Sequence, residues 1–329
     1  MIATRTPFRV TFGGGGTDLP AFYKKRGGYI LATGINKYMY VTLNVPCADR
    51  LVRLHYTQSE TVSHTRQLKH ELAREALLRH GIEDAIEISS LADLPAGTGL
   101  GSSSCYLVGL LYAVRTHLSV ETSLADLAEE ACAIEIDTLR KPIGRQDPYM
   151  AAFGGLTELR ISRDGSVAVS RVDLTPEMIA ELIAKTHLYY TNVQRPAVEI
   201  LAEESAALER GSGDAESALS EMLAIGLQIG AAIKAGDFDT FGKLLHEHWN
   251  RKKRLSAKVG LEGIDDLYEH VRKEYGVLGG KIAGAGGGGF LMLYCAHDGT
   301  RLTEYMHSKG MARLEYAAEF EGSRVLING

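Results

Sequence analysis

Three glycine-rich segments are the parts of this chain best suited to hold an anion: FGGGGTDLP at 12–20, PAGTGLGSSSC at 95–105 and GAGGGG at 284–289. Gly97, Gly99 and Gly101 let the backbone come close to a phosphate. The apolar run SCYLVGLLYAVRTHL follows at nearly helical spacing, so the loop opens a helix whose first amides and dipole favour negative charge. Ser102, Ser103 and Ser104 could add donors or a metal ligand, although one serine would suffice as a helix cap. No lysine follows the glycines, so this is not a P-loop. The last segment formally matches GxGxxG, but FLMLYC after it reads as a buried strand. That pattern excludes a dinucleotide fingerprint, which needs a helix there, and predicts a hairpin-like loop between strands.

Phosphoryl transfer also needs a divalent cation and usually a group to receive the nucleophile's proton. Glu135, near the end of an amphipathic helix, and Asp147, between a Pro-Ile-Gly loop and a run of small residues, are the candidates. Each has an ordinary alternative, a solvated helix face for Glu135 and an N-cap for Asp147. Arg9 sits on an amphipathic strand. Asp18, after four glycines and Thr17, either caps the helix that starts at Leu19–Pro20 or binds sugar hydroxyls with both carboxylate oxygens.

These residues must be positioned by a full core, which 329 residues at 45% hydrophobic content can supply, divided over two domains. Extended segments are read at Phe8–Phe12, Tyr29–Ile35 and Met39–Val45, and helices at Gln67–His80 and over 124–139. A hairpin is read at 156–161 and 167–172, turning on Asp164-Gly165. From Pro176 long helices take over, at 195–209, 215–235 and 237–255, with GSGD at 211–214 as a loop. The boundary is therefore expected near 180, giving domains 1–180 and 181–329. The 36 basic against 41 acidic residues, without a long basic run, argue against nucleic acid as a partner. Four scattered cysteines and an N-terminus unlike a signal peptide point to the cytoplasm, and no stretch reaches the length of a membrane span.

The three loops in this order, with Asp147 between the second and third, resemble the GHMP small-molecule kinases, and PAGTGLGSSSC is similar to their PxxxGLGSSA phosphate loop. RTPFRVTFGGGGTDLPAFY and PIGRQDPYMAAFGG look most like the members that act on D-glycero-D-manno-heptose 7-phosphate. The resemblance implies an α+β, two-domain architecture: an N-terminal domain with a left-handed βαβ crossover and a ferredoxin-like C-terminal domain with extra helices. It also implies transfer of the γ-phosphoryl group of ATP, with Mg2+, to the anomeric hydroxyl of that sugar phosphate, for nucleotide-activated heptose synthesis serving lipopolysaccharide or capsule. A homodimer is left open.

Carried over by position, Asp147 is the base or orienting group and Arg9 supports the reacting site. Gly97, Thr98, Gly99, Leu100, Gly101, Ser102, Ser103 and Ser104 hold the nucleotide. Ser103 and Glu135 hold the metal, with Asp137 as runner-up to Glu135. Gly14, Gly15, Gly16, Thr17, Asp18, Asp147, Gly286 and Gly287 contact substrate, and the third loop closes over the site. A distal phosphate would need its own cations, for which Lys252, Lys253, Arg254 and Arg195 are the candidates beside a solvated helix face. Three positions depart from the pattern: Ser104 stands where alanine is usual, Pro148 where glutamine is frequent and Asn192 where glycine is common. The alternatives are a kinase for another sugar, such as fucose, and a non-catalytic nucleotide or sugar sensor.

Overall fold

A computed structural model of the chain describes residues 1–195, 197–256, 259–261 and 263–329. Residue 196, inside the helix read over 195–209, lies outside them. β1 (Ile2–Gly13) is buried along nearly all of its length, as its run of β-branched and aromatic residues requires of a central strand. α1 (Pro20–Arg26) follows the first glycine loop. β2 (Gly28–Asn44) is one strand of 17 residues where the sequence suggested two. The apparent break reflects a shift in its pairing with β1 between Pro7 and Phe8, where the proline has no N–H to give to the ladder.

The same sheet takes β3 (Val52–His55), β4 (Ser59–Val62) and, after α2 (Glu71–Arg79), β5 (Ile86–Ala92), which runs parallel to β3. Sequence periodicity started α2 four residues early; His70 is its N-cap, accepting from Ala73 N at 3.3 Å. α3 (Ser102–His117) packs on β1 and β2, apolar all round because it is a core helix. α4 (Leu124–Cys132) carries a capping box of Ser123 and Asp126 and runs into a π-helical turn, Ala133–Thr138, that the sequence did not announce. α5 (Gln146–Phe153) and the hairpin of β6 (Leu156–Ile161) and β7 (Val167–Arg171) complete this half. β6 pairs with the first part of β2 and β5 with its last part.

α6 (Pro176–Lys185) leads to β8 (Thr186–Tyr190). α7 (Ala197–Glu209), α8 (Gly213–Lys234), α9 (Phe238–Lys252) and α10 (Ile264–Glu274) separate β8 from β9 (Val277–Ile282). Gly213 and Asp214, read as loop, already belong to α8, which Ser212 caps. β9 and β10 (Phe290–Cys295) form the antiparallel pair expected around the third glycine loop. α11 (Thr300–Ser308) and β11 (Arg313–Leu314) follow. The sheet order β11-β8-β10-β9, all antiparallel, with helices in the first and last connections, is ferredoxin-like with extra helices. β12 (Arg324–Asn328) then returns to the first sheet and pairs with β1. α8 and α9 pack on β1, so the two sheets share a helical layer. Among the described residues no helix is long and apolar enough to cross a membrane.

Candidate active site

Between the two sheets lies a cleft of about 930 Å³ that reaches Arg9, Asp18, Gly97, Gly99, Gly101, Ser102, Ser103, Ser104, Glu135 and Asp147, residues scattered over 139 positions of sequence. The N-cap of α3 is Gly101, at φ +89°, and no side chain caps the helix. The serines are therefore not caps. The first bond of the helix runs from Cys105 N to Gly101 O at 3.0 Å, so the amides of Ser102, Ser103 and Ser104 line the cleft at the positive end of the helix dipole. Thr98 and Leu100 turn inward instead; the Thr98 hydroxyl donates to Pro95 O at 3.0 Å and Leu100 is wholly buried.

The second and third glycine loops touch. Gly99 sits at φ +78°, and a Cβ there would stand 2.7 Å from Ala283 O, while one on Gly284 would stand 2.7 Å from Gly99 Cα. Gly99→Ala therefore combines left-handed strain with a backbone clash, for an expected loss of about 1–3 kcal/mol of stability. Thermal unfolding and the KM for ATP should both report it, and an unchanged protein would mean that the loops part without consequence. From the third loop, Gly284 and Ala285 line the cleft. Gly286 and Gly287, expected on the substrate, face Lys252 and Trp249 of α9 and Ile200 of α7 instead.

Asp147 lies in the first turn of α5, whose N-cap is Arg145, so it is not the cap. Arg9 holds its carboxylate in a two-pronged pair, Nε to Oδ1 at 2.8 Å and Nη2 to Oδ2 at 2.9 Å, and Gln146 Nε2 adds a bond to Oδ1 at 2.7 Å. Arg9 itself is anchored on the phosphate loop, its N–H donating to Leu100 O at 3.1 Å and its guanidinium to Gly99 O. The pair thus ties strand, loop and helix at one point. Pro148 fits the first turn of α5, where its missing N–H leaves no helical bond unmade.

Asp18 does not cap α1, whose N-cap is Leu19 without a side-chain bond. Its carboxylate accepts from Gly16 N at 3.1 Å and from Gln146 N at 3.0 Å, joining the first loop to the start of α5. A Cβ at Gly144 would lie 1.8 Å from Asp18 Oδ2, so only glycine admits this contact. Burial, reinforced by Asp147, pushes the Asp18 carboxyl above its usual range. Gly15 and Gly16 line the cleft with it. Gly14 packs on Tyr29 O and Thr17 donates to Gly14 O and Tyr29 O, so these two brace the loop.

Glu135 is 1% exposed, not a solvated helix face, because the π-helical turn rotates it inward while Asp137 stays outside. Ser104, at the position where alanine is usual, donates to Glu135 Oε2 at 2.8 Å, and the Ser103 hydroxyl also bonds this carboxylate. Burial nevertheless pushes its pKa up to about 7. One carboxylate and a hydroxyl are hard oxygen donors that suit Mg2+, which takes few protein ligands and completes its shell with phosphate and water. Among the described residues no group of three or more metal-binding side chains offers an alternative.

Sequence reasoning missed His248, Lys281 and Glu204, which line the same cleft and are 1%, 4% and 1% exposed. Lys252 joins them at 6%, donating to Gly284 O. The signal was present: Lys252 and His248 fall on the apolar stripe of α9 with Phe241, Leu245 and Trp249, and Lys281 interrupts a buried strand. Lys253 and Arg254 instead pair outside with Asp265 and Glu221, at 3.1 and 3.2 Å. Arg195 is exposed and reaches Gly260 O at 3.4 Å. Asn192 adopts φ +58°, the left-handed conformation that glycine favours and asparagine tolerates, and its amide donates to Gly310 O at 2.8 Å.

Two family models match the chain, the GHMP kinases N terminal domain over residues 65–155 and the GHMP kinases C terminal region over 230–310. D-glycero-alpha-D-manno-heptose 7-phosphate kinase of Campylobacter jejuni is 28% identical over 310 residues, covering 89% of each chain. The L-fucokinase/L-fucose-1-P guanylyltransferase of Bacteroides fragilis is also 28% identical, over 88% of this chain but 34% of its own length. The crystal structure of a D-glycero-D-manno-heptose 1-phosphate kinase from Bacteroides thetaiotaomicron superposes over 100% of both chains with a TM-score of 0.80 at 22% identity, a likeness of fold.

Proposed function

Because the chain belongs to the GHMP kinases, phosphotransferases that draw on ATP, we propose that it phosphorylates the anomeric hydroxyl of D-glycero-D-manno-heptose 7-phosphate to give the 1,7-bisphosphate. The observation that carries the transfer chemistry is the convergence of the uncapped start of α3, the Ser103–Glu135 oxygen donors and the Arg9–Asp147 pair on one cleft. The sugar assignment is supported by the likeness to the Campylobacter jejuni heptose kinase along nearly the whole of both chains.

In this reading the amides of Ser102 to Ser104 and the backbone at Gly97, Gly99 and Gly101 bind the triphosphate of ATP. Ser103 and Glu135 would hold Mg2+. When bound, that ion neutralises charge on the phosphate oxygens. Asp147 accepts the hydrogen bond of the anomeric hydroxyl and aims its oxygen at the γ-phosphorus. Arg9 holds the Asp147 carboxylate in a fixed orientation. Since the transition state for phosphoryl transfer is loose, the hydroxyl proton leaves late, and a carboxylate that orients the nucleophile serves even while it is paired with arginine. Asp18 and the Gly15–Gly16 backbone would hold sugar hydroxyls.

The domain division near residue 180 belongs to the same proposal, amended by residues 324–328, which complete the N-terminal sheet. The four free cysteines, three of them buried, suit a reducing cytoplasm, where a heptose destined for lipopolysaccharide or capsule would be activated. The test is magnesium-dependent ADP release with heptose 7-phosphate, unphosphorylated heptose, mannose, fucose and galactose. Activity with heptose 7-phosphate far above that with any of the other sugars is expected. Activity on fucose or galactose alone would keep the kinase and replace the substrate, and ATP binding without turnover on any sugar would favour a sensor.

A further inference from the structure

The floor of the cleft, on the side of α9 and β9, carries polar groups that the phosphoryl-transfer chemistry does not use. His248 is 1% exposed and neither of its ring nitrogens has a hydrogen-bond partner. The Thr11 hydroxyl is also buried without a partner. Lys252 and Lys281 are 6% and 4% exposed, and each donates to a backbone carbonyl, Gly284 O for the first and Phe12 O, at 3.0 Å, for the second. Among the described residues neither lysine makes an ion pair within 4.0 Å, although each ammonium has three N–H groups to give.

Buried polar groups are nearly always satisfied, and buried cations are nearly always paired, because desolvation costs several kcal/mol otherwise. A cluster that breaks both rules inside a ligand cleft is completed by the ligand. Its chemistry identifies the missing group. The two ammonium groups and the threonine hydroxyl offer donors, with a ring N–H of His248 beside them, and they match a group that has only acceptors and carries negative charge. A sugar hydroxyl suits the two ammonium groups less well, since its oxygen is neutral and carries a proton, although the second ring nitrogen of neutral His248 is an acceptor. The acceptors suited to hydroxyls, Asp18 and Glu204, stand on the other elements of the cleft.

The arrangement is built by the fold. His248 and Lys252 lie one turn apart on the inward stripe of α9, Lys281 comes from the neighbouring strand β9, and Thr11 from β1 across the interface. Burial depresses the pKa of both lysines, Lys281 strongly, and they repel each other and Arg9; the carboxylates of Glu204 and Asp18 offset part of this for Lys252, and among the described residues no such attraction reaches Lys281. A bound dianion would relieve all three effects.

We propose that Lys252, Lys281 and His248, with the Thr11 hydroxyl, form the subsite for the substrate's own phosphate monoester, the one remote from the hydroxyl that is phosphorylated. This rests on the reading of the protein as a sugar-phosphate kinase and assigns its specificity for a phosphorylated over a free sugar to these four side chains.

The experiment compares kcat/KM for heptose 7-phosphate and for unphosphorylated heptose in the wild-type protein and in Lys281→Met, Lys252→Met and His248→Gln. In the lysine variants the KM for heptose 7-phosphate should rise roughly 10- to 100-fold while the KM for ATP holds, and the advantage over free heptose should shrink by the same factor. Lys281→Arg should recover part of it. In the wild-type protein without nucleotide, the 31P resonance of the sugar phosphate should shift and broaden on binding. If Lys281→Met does not fold, Lys252→Met and His248→Gln read the same ratio.

Wild-type turnover of heptose 7-phosphate with an unchanged ratio in the variants would overturn the subsite and leave the kinase reading intact. An equal loss on both sugars would mean that the lysines serve the transfer itself, which also overturns it. Turnover of free sugars only would remove the sugar-phosphate reading and the subsite with it. Turnover of a different sugar phosphate with the ratio still dependent on Lys281 would keep the subsite and change the sugar.

Discussion

Asp147→Asn should lower kcat by about 10²–10⁴-fold while the KM for ATP stays near its wild-type value. The geometry says why so small a change should cost so much. Both carboxylate oxygens of Asp147 accept from the Arg9 guanidinium, and one of them also accepts from Gln146. An asparagine keeps one acceptor and turns an amide, itself a donor, towards a donor. Because Arg9 is anchored on the phosphate loop through Gly99 O and Leu100 O, the amide rather than the guanidinium should swing away, which leaves the nucleotide site in place. The lost negative charge also leaves the guanidinium unpaired where the side chain is 4% exposed. The variant should therefore be less stable as well as slow, by about 1–3 kcal/mol. Steady-state kinetics with a separate nucleotide-binding titration check the first claim and thermal unfolding the second. Near-normal turnover would remove Asp147 from the chemistry.

Glu135→Gln should move activity and stability in opposite directions. The folded chain holds the Glu135 proton up to a pKa of about 7, against an ordinary value near 4.5. Between those values the folded state binds more protons than the unfolded one, so the contribution of this residue to stability declines as pH rises through the window, and above about pH 7 the full cost of the buried charge is present. Glutamine stays neutral and still accepts from Ser104. At pH 8 the ligand-free variant should gain on the order of 1–3 kcal/mol over wild type, and at pH 4 the difference should vanish. Activity should fall about 10²–10³-fold, and far more magnesium should be needed for half-maximal rate. Thermal unfolding at the two pH values and a magnesium titration read the two effects separately. An unchanged magnesium titration would exclude Glu135 as the ligand, and no stability gain would mean that the buried carboxylate is better solvated than its surroundings imply.

The sequence made the loops legible because glycine at a left-handed φ leaves a compositional mark, as at Gly99 and Gly101. It also separated the third loop from a dinucleotide site, because the strand after it is apolar at every position. The inward turn of Glu135 was not legible. A π-helical turn adds a residue to the helical repeat and so moves a side chain from the solvated to the buried face without changing composition. The capping alternative for Asp18 failed for a related reason: the helix whose start it braces is 128 residues away, and local capping rules see only the helix next door. The buried lysines lay in plain sight on apolar stripes. Charge alone suggested Lys252, Lys253 and Arg254 together, but only the periodicity of α9 separates the first from the other two.

β12 pairs with β1 through Ile2, Ala3, Thr4 and Arg5, a few residues before Arg9 on the same strand. During synthesis the strand that carries Arg9 emerges long before its edge partner, with every other strand of both sheets made in between. The first sheet therefore keeps one side of its central strand open until residue 328 has cleared the ribosome. For that interval β1 presents an unpaired edge, open to pairing with another nascent chain. Chaperone demand during translation should accordingly exceed what the stability of the finished protein would suggest.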